Sequence, residues 1–269
     1  MGTIPCTVGI LTFNSGQTLR RALESVKDFA EIIICDGGST DDTLAIAAAY
    51  GCTILSQDRK YQNEDGRLSD YAGVRNQCID AAHYDWFFYI DSDECATPEL
   101  CASIRATVIA TEPEFLIYNI SPRIVLDERR VIEHSSNYPG WQKRFFNLTT
   151  GARFRKAIHE RIEYDAIHYP AGYLGGHWHY FITSATDADK TARYIRMDVR
   201  LYRTKHLNRF LRLVWEKLST IVKVAIKTAW NYIRYGRRGT MPLALEMRRI
   251  SYQWYILCGI VRDYLHSMV

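Results

Sequence analysis

Two carboxylates one residue apart, Asp91-Ser92-Asp93, stand directly behind the apolar run Trp-Phe-Phe-Tyr-Ile, and Glu94 follows at once. Hard oxygen ligands at this spacing suit Mg²⁺ or Mn²⁺, which commonly leave coordination positions for substrate phosphates. The same residues have a plainer use. Asp93 or Glu94 would cap a helix that opens at Pro98, and Asp91 would be a solvated strand end. The choice turns on the company the acids keep. Asn14 follows the apolar run 7–13, and Asp36 closes a second run, 31–36. Ligands of parallel sheets bind beyond the carboxyl ends of the strands. If these runs are neighbouring strands, Asn14, Asp36 and Asp91 share one rim.

The surrounding pattern predicts such strands. "TVGILTF" is a short apolar run broken by "NSGQ", and "TLRRALESVKDF" then places Leu19, Ala22, Leu23 and Val26 on one helical face. "EIIICD" reads as a second strand, followed by a helix that Ser39, Thr40 or Asp41 would cap. "CTILSQ" reads as a third strand, 67–83 as a helix, "WFFYID" as a fourth strand and 98–111 as a helix. "FLIYNISPRIVL" and "RVIEHSS" read as further strands, and 141–181 is aromatic, basic and turn-rich. Continuous apolar strands alternating with helices imply an α/β fold: a mostly parallel, Rossmann-like sheet with helices on both faces.

From about residue 187 the text turns helical and basic. Residues 190–269 hold 17 Lys and Arg against 4 Asp and Glu, within a chain whose formal net charge is only +4. Between 210 and 233, Leu211, Val214, Trp215, Leu218, Val222, Ala225, Ala229 and Ile233 recur at helical spacing. Arg212, Lys217, Lys223, Lys227 and Arg234 fall between them. A basic amphipathic helix of this kind suits an anionic membrane surface. The bland reading is a helical cap with a solvated basic face. No nucleic-acid motif is present, so no nucleic-acid partner is expected. The expected division is a catalytic domain over 1–186 and a membrane-associating helical region over 187–269. The seven scattered cysteines, without a CxxC pair, suggest a reduced chain lacking a disulfide frame. No leader and no membrane span is expected from the apolar runs.

The motifs "VGILTFNSGQTLRRALESV", "EIIICDGGSTDDTLAIA", "GVRNQCIDAAHYDWFFYIDSDE", "GWQKRFFN", "KAIHERIEY" and the final His-Tyr of "GGHWHY" occur in an order that resembles family 2 glycosyltransferases of the GT-A fold. The similarity is greatest to the bacterial subgroup that includes lipopolysaccharide-core glucosyltransferases. It covers roughly residues 6–181. The resemblance implies transfer of a sugar from a nucleoside-diphosphate donor, with inversion, aided by Mn²⁺ or Mg²⁺. It implies that Thr12, Phe13 and Asn14 line the nucleoside pocket, that Asp36 contacts the base or ribose, and that Arg75 approaches the diphosphate. Asp91 then approaches the ribose or the metal, Asp93 ligates the metal, and His179 completes its shell. His177 is assigned to the opposite face of the same strand. Arg144 either anchors the diphosphate or acceptor or pairs with a nearby acid. Glu160, from the His-Glu pair, is the expected general base, with Asp165 in reserve. Gly37 stands where many members carry a second acid that reads the base.

The resulting expectation is a metal-dependent glycosyltransferase, peripheral on the cytoplasmic face of a bacterial membrane. Its partners would be a UDP-sugar and a lipid-linked or glycan acceptor for cell-surface glycan synthesis. One alternative is a sugar-nucleotide pyrophosphorylase, although "TFNSGQT" lacks the Arg- and Lys-bearing glycine-rich loop of that class. Another is a non-catalytic, membrane-bound sugar-nucleotide binder.

Overall fold

The computed structural model describes residues 2–63, 68–157, 160–183 and 188–267. The chain forms two compact units, Met1–Arg123 with Pro139–Phe181, and Ile124–Tyr138 with Ile182–Val269. The division falls at 181/182 and also at 123/124 and 138/139. Ile124–Tyr138 also groups with the helical end, a grouping that a linear division has no way to express. The reason is polar: the buried Glu246 carboxylate accepts hydrogen bonds from Ser135 Oγ, Ser136 N and Ser136 Oγ.

The first unit opens with β1 (Ile4–Thr12), α1 (Leu19–Val26), β2 (Phe29–Asp36), α2 (Thr43–Ala49), β3 (Thr53–Ser56), α3 (Tyr71–Asp80) and β4 (Trp86–Asp91). Then come β5 (Glu94–Ala96), α4 (Pro98–Ile109), β6 (Ile117–Leu126), β8 (Gln142–Asn147), β9 (Arg153–Arg155), β10 (Arg161–Glu163) and β11 (Ala171–Ile182), while β7 (Arg130–Ile132) falls in the Ile124–Tyr138 segment of the second unit. Among the described residues one nine-stranded sheet runs β3-β2-β1-β4-β8-β6-β11-β5, with β7 on β6 and β9-β10 as a separate pair. The β3-β2-β1-β4 half is parallel, as the alternating strands and helices require. β8 reverses direction against β4, where Trp86 stacks on Phe145 at 4.6 Å.

Period-two alternation gives the sheet two buried faces. Val8, Ile10, Ile32, Ile34, Phe88 and Ile90 pack with Leu19 and Leu23 of α1 and Leu100 and Ile104 of α4. Ile33, Cys35, Phe87 and Tyr89 pack with Val74 and Cys78 of α3 and with Phe154. Each Val, Leu, Ile or Phe among them contributes about 1.5–3 kcal/mol on burial. Sheets buried on both faces leave only the strand ends for polar residues. The register sets those ends level: Thr12 lies beside Asp36 and Leu11 beside Asp91.

Two local expectations change. α4 is capped by Thr97, whose hydroxyl accepts from Leu100 N, so neither Asp93 nor Glu94 is spent there. Asp42 occupies the cap position of α2 without a side-chain bond, while Asp41 accepts from Thr43 N at 3.0 Å.

The second unit carries α5 (Ala188–Leu201), α6 (Leu207–Tyr235) and α7 (Leu243–His266). α6 spans the amphipathic stretch but turns its apolar stripe outward. Leu211, Trp215, Leu218, Val222, Ile226, Trp230 and Ile233 are exposed, while Leu213, Lys217, Val224 and Thr228 are buried. Lys217, assigned from sequence to the basic solvent face, instead lies over the Tyr202 ring at 4.1 Å. No helix among the described residues is long and apolar enough to cross a membrane. All seven cysteines are free.

Candidate active site at the strand ends

At the end of β1, Thr12 is buried and donates its hydroxyl to Asp36 Oδ2 at 2.7 Å. Asp36, at the end of β2, also accepts from the backbone N–H of Gly38 (2.9 Å) and Ser39 (2.7 Å), and from the Ser39 hydroxyl (2.6 Å). Burial alone would raise its pKa. The Ser39 and Thr12 hydroxyls and these N–H groups outweigh it and hold the carboxyl below its usual value. Such an acid is ionised and fixed.

Asn14 takes a left-handed backbone (φ 50°), donates its N–H to Ser39 Oγ at 2.8 Å and accepts from Thr40 N at 2.9 Å. Together these bonds fix the loop after β1 against the loop after β2. The Phe13 ring is left 62% exposed at that edge, open to an aromatic partner such as a base. Gly37 has an explanation in its surroundings. A Cβ there would meet Gln57 Oε1 at 3.0 Å and Phe13 Cδ2 at 3.2 Å. Gln57, absent from the sequence reading, donates to the carbonyls of Cys35 and Thr12 and fills that space.

Beyond β4 an ion network lines a cavity of about 610 Å³. Arg75, from α3, is buried and donates Nη2 to Asp91 Oδ1 at 2.7 Å and Nε to Glu160 Oε1 at 2.8 Å. Its guanidinium also lies over the Tyr89 ring at 4.5 Å. Burial opposes its charge, but Asp91, Tyr89 and Glu160 hold its pKa well above the ordinary value. Burial likewise pushes Asp91 up, and Arg75 and then Arg144 bring it below its ordinary value.

Arg144, from β8, is buried over the Trp178 ring at 3.6 Å and donates to both oxygens of Glu94, with Nη2–Oε1 at 3.1 Å. Of the two roles the sequence left open for Arg144, the structure has it paired with an acid. Glu94 accepts from the Asp91 N–H at 2.8 Å, so the pair also holds the turn that carries Asp91. Burial and the Asp91 charge push Glu94 up to about 7, against the pull of Arg144. Lys143 and Arg161 add positive charge to the cavity wall. The arrangement can take a multiply charged anion against an aromatic wall beside two carboxylates.

Arg75, Asp91, Arg144 and Glu160 therefore meet in one cavity. Thr12, Phe13, Asn14 and Asp36 form the neighbouring loop edge, tied to the acidic turn by a 2.9 Å hydrogen bond between the Ser15 and Ser92 hydroxyls. Asp93 is exposed in that turn and, like His179, does not line the cavity. His179 is paired in register with Cys95, whose thiol meets the Arg21 carbonyl of α1. Glu94 and Trp178, one residue away on each strand, turn towards Arg144 instead. Burial and the neighbouring His177 lower the His179 pKa. His177 thus shares the face of His179, as residues two apart on a strand must, which corrects the opposite-face assignment. Asp165 is exposed and hydrogen-bonded to His168 at 2.6 Å. His159 lies outside the described residues. Tyr89 was missed from sequence, although its place two residues before Asp91 on β4 puts both on one face.

The fold and site define a class first: an α/β domain with a polar ligand site at the carboxyl ends of its parallel strands. The family follows from sequence. The model of glycosyl transferase family 2 matches residues 7–176, and the chain belongs to that family. It is 30% identical over 159 residues to the SPbeta prophage-derived glycosyltransferase SunS of Bacillus subtilis (strain 168), covering 59% of this chain and 34% of that protein. It is 30% identical over 141 residues to the lipopolysaccharide core biosynthesis glycosyltransferase LpsC of Rhizobium meliloti (strain 1021), covering 48% of this chain and 50% of that one. The chain thus spans about a third to half the length of these curated relatives. Among solved structures, S. aureus TarS 1–349 in complex with UDP superposes with a TM-score of 0.48 at 14% identity, covering 98% of this chain and 89% of that one.

Proposed function

We propose that this protein is an inverting glycosyltransferase that moves a sugar from a nucleoside-diphosphate donor, a UDP-sugar first, to a lipid-linked or glycan acceptor at the cytoplasmic membrane face. The observation that carries the reading is Arg75 held between Asp91 and Glu160 in one cavity. Breaking a glycosyl–phosphate bond develops positive charge on the sugar and negative charge on the leaving diphosphate. Glu160 is the base that takes the acceptor hydroxyl proton. Arg75 orients it and, with Lys143 and Arg161, makes the cavity attractive to the diphosphate. Thr12 and Ser39 hold Asp36 ionised to accept from the base or ribose, and Phe13 stacks at the same edge.

Two carboxylates, Asp91 and Asp93, would hold a divalent cation, for which hard oxygen ligands are suited. The Asp91 side chain is 42% exposed and Asp93 is exposed in the adjoining turn. Among the described residues no three His, Cys, Asp or Glu side chains already converge on one point. His179, which the resemblance makes the third ligand, does not line the cavity. When bound, the cation neutralises charge on the departing diphosphate. The exposed apolar stripe and basic flanks of α6 support attachment to an anionic membrane surface.

Calorimetry with UDP-, GDP- and dTDP-sugars in Mn²⁺ tests the reading. Saturable binding of a UDP-sugar, lost in Asp93→Asn with the fold intact, is the expected result. No binding of any sugar nucleotide would sink it.

A further inference from the structure

Within the second unit, α5 and α7 border a groove of about 790 Å³, a volume typical of small-ligand sites. Its walls carry four exposed arginines. Arg196, Arg200 and Arg203 follow one another at i, i+4 and i+7 on or just beyond α5, and Arg262 faces them from α7. Like charges at such spacing repel one another along a helix. The described side chains answer only part of that repulsion. Asp263 serves both Arg203 (2.9 Å) and Arg262 (3.6 Å). Asp198, the other acid among the described side chains of α5, accepts from the Tyr252 hydroxyl at 2.8 Å. Among the described side chains no carboxylate lies within ion-pair distance of Arg196 or Arg200.

The floor has the opposite chemistry. Val199 is buried against Ile256 and Ile260, with Ile195 packed beside it. A Cβ on Gly259 would fall 2.5 Å from Val199 Cγ2, so glycine is what lets α5 approach α7 closely enough to seal the base of the groove. The wall is therefore cationic and the floor apolar. An inorganic anion would satisfy the guanidinium groups and leave the floor wet. A neutral lipid would cover the floor and leave the charges unpaired. A phosphate attached to a hydrocarbon chain answers both, because guanidinium forks match phosphate oxygens bidentately.

We propose that the groove between α5 and α7 binds an anionic amphiphile, its phosphate headgroup on Arg196 and Arg200 and the first carbons of its chain over Val199. The proposal goes beyond the attachment of α6 to a membrane surface and can fail separately from it. A headgroup site selects particular lipids, whereas an apolar stripe with basic flanks responds to surface charge and packing.

The test uses the full-length protein and dihexanoyl phosphatidic acid below its micelle concentration, titrated by calorimetry. Dihexanoyl phosphatidylcholine and inorganic phosphate serve as comparison probes. Phosphatidic acid should bind at one site, and each comparison probe should bind at least about tenfold more weakly, since a charge-assisted hydrogen bond is worth about that factor or more. Arg196→Ala with Arg200→Ala should weaken phosphatidic acid by about tenfold or more. Both residues are exposed, so circular dichroism should be unchanged. If the double variant nonetheless loses helix, Cys258→Trp, which fills the groove from α7, locates the site instead and should also weaken binding. No binding of phosphatidic acid, equal binding of phosphatidylcholine, or indifference to both variants overturns the proposal. Inorganic phosphate binding as tightly as phosphatidic acid overturns the lipid assignment and leaves a free-anion site. Trp215→Ser with Trp230→Ser should reduce vesicle binding without changing the short-chain titration, which separates this site from the α6 reading.

Discussion

In the first unit Arg75 and Arg144 are only 5% and 4% exposed, and each is met by carboxylates. In the second, α6 buries Lys217 to 6% exposure while Trp215 and Ile233 stand 72% and 81% exposed. Both arrangements cost free energy. Taking a charge out of water costs several kcal/mol per ion unless geometry and hydrogen bonding repay it. Leaving apolar surface in water forgoes about 25 cal/mol per Å². The comparison separates two kinds of expense. The buried network spends it on fixed positions for charged groups around a cavity, which chemistry requires. The outward stripe leaves apolar surface exposed, as surfaces that meet a membrane or another protein do.

The sharpest way to break the comparison is to remove the charge proposed to do chemistry. Glu160→Gln should lower turnover by roughly 10²–10⁴, the usual worth of general-base catalysis, with little change in donor affinity. Asp165→Asn should leave steady-state rates nearly unchanged, because its carboxylate is exposed and engaged by His168. If the Asp165 variant shows the large loss instead, the base assignment moves; if neither does, the non-catalytic binder gains ground.

The next largest effect should be on stability. Arg144→Met leaves the Glu94 carboxylate buried beside Asp91 without its guanidinium, and breaking one side of a buried pair costs about 3–5 kcal/mol. Adding Glu94→Gln should recover part of that loss in chemical denaturation. Additive losses would mean that the two residues are not coupled.

These residues were legible in sequence to different degrees. Asp36 and Asp91 were visible because a buried parallel sheet confines polar groups to strand ends, and both fall there. The pairing of Arg144 with Glu94 was not, because it depends on β8 running antiparallel beside β4 within a stretch whose turns and aromatics have no clean period. In α6 the period showed which residues share a side but not which side meets the protein. The core took Leu213, Lys217, Val224 and Thr228, a face less apolar than the one left outside. The long Lys217 stem and the Tyr202 ring make that burial tolerable, a contact no window along the helix contains.

A smaller change tests the loop edge. Thr12→Val removes one hydroxyl donor to the Asp36 carboxylate and should cost about 1.5–3 kcal/mol, as hydrogen bonds to charged groups do. The folded Asp36 pKa lies below its unfolded value, so this contribution is fully present above the unfolded pKa, about 3.9, and is lost as pH falls from there through the folded value. The gap between wild type and variant should therefore narrow below about pH 4. A gap that stays constant through that range would mean the bond does not depend on the charge.

The smallest effect on folding should come from the outward stripe, and there a small effect is the informative one. Trp215→Ser with Trp230→Ser alters side chains that pack on little, so stability should stay within about 0.5 kcal/mol. Attachment should respond far more. Full-length protein is expected to sediment with anionic vesicles, and high salt should release it only partly. Basic residues near such a surface add about 1 kcal/mol each and are screened within a Debye length of about 8 Å at physiological salt, whereas the apolar term is not. The double variant should therefore keep its salt-sensitive binding and lose the salt-resistant fraction. If its stability falls by several kcal/mol, those tryptophans belong to a packed surface and the contrast between the units fails. If the folded variant sediments as wild type does in high salt, the stripe is not what meets the membrane.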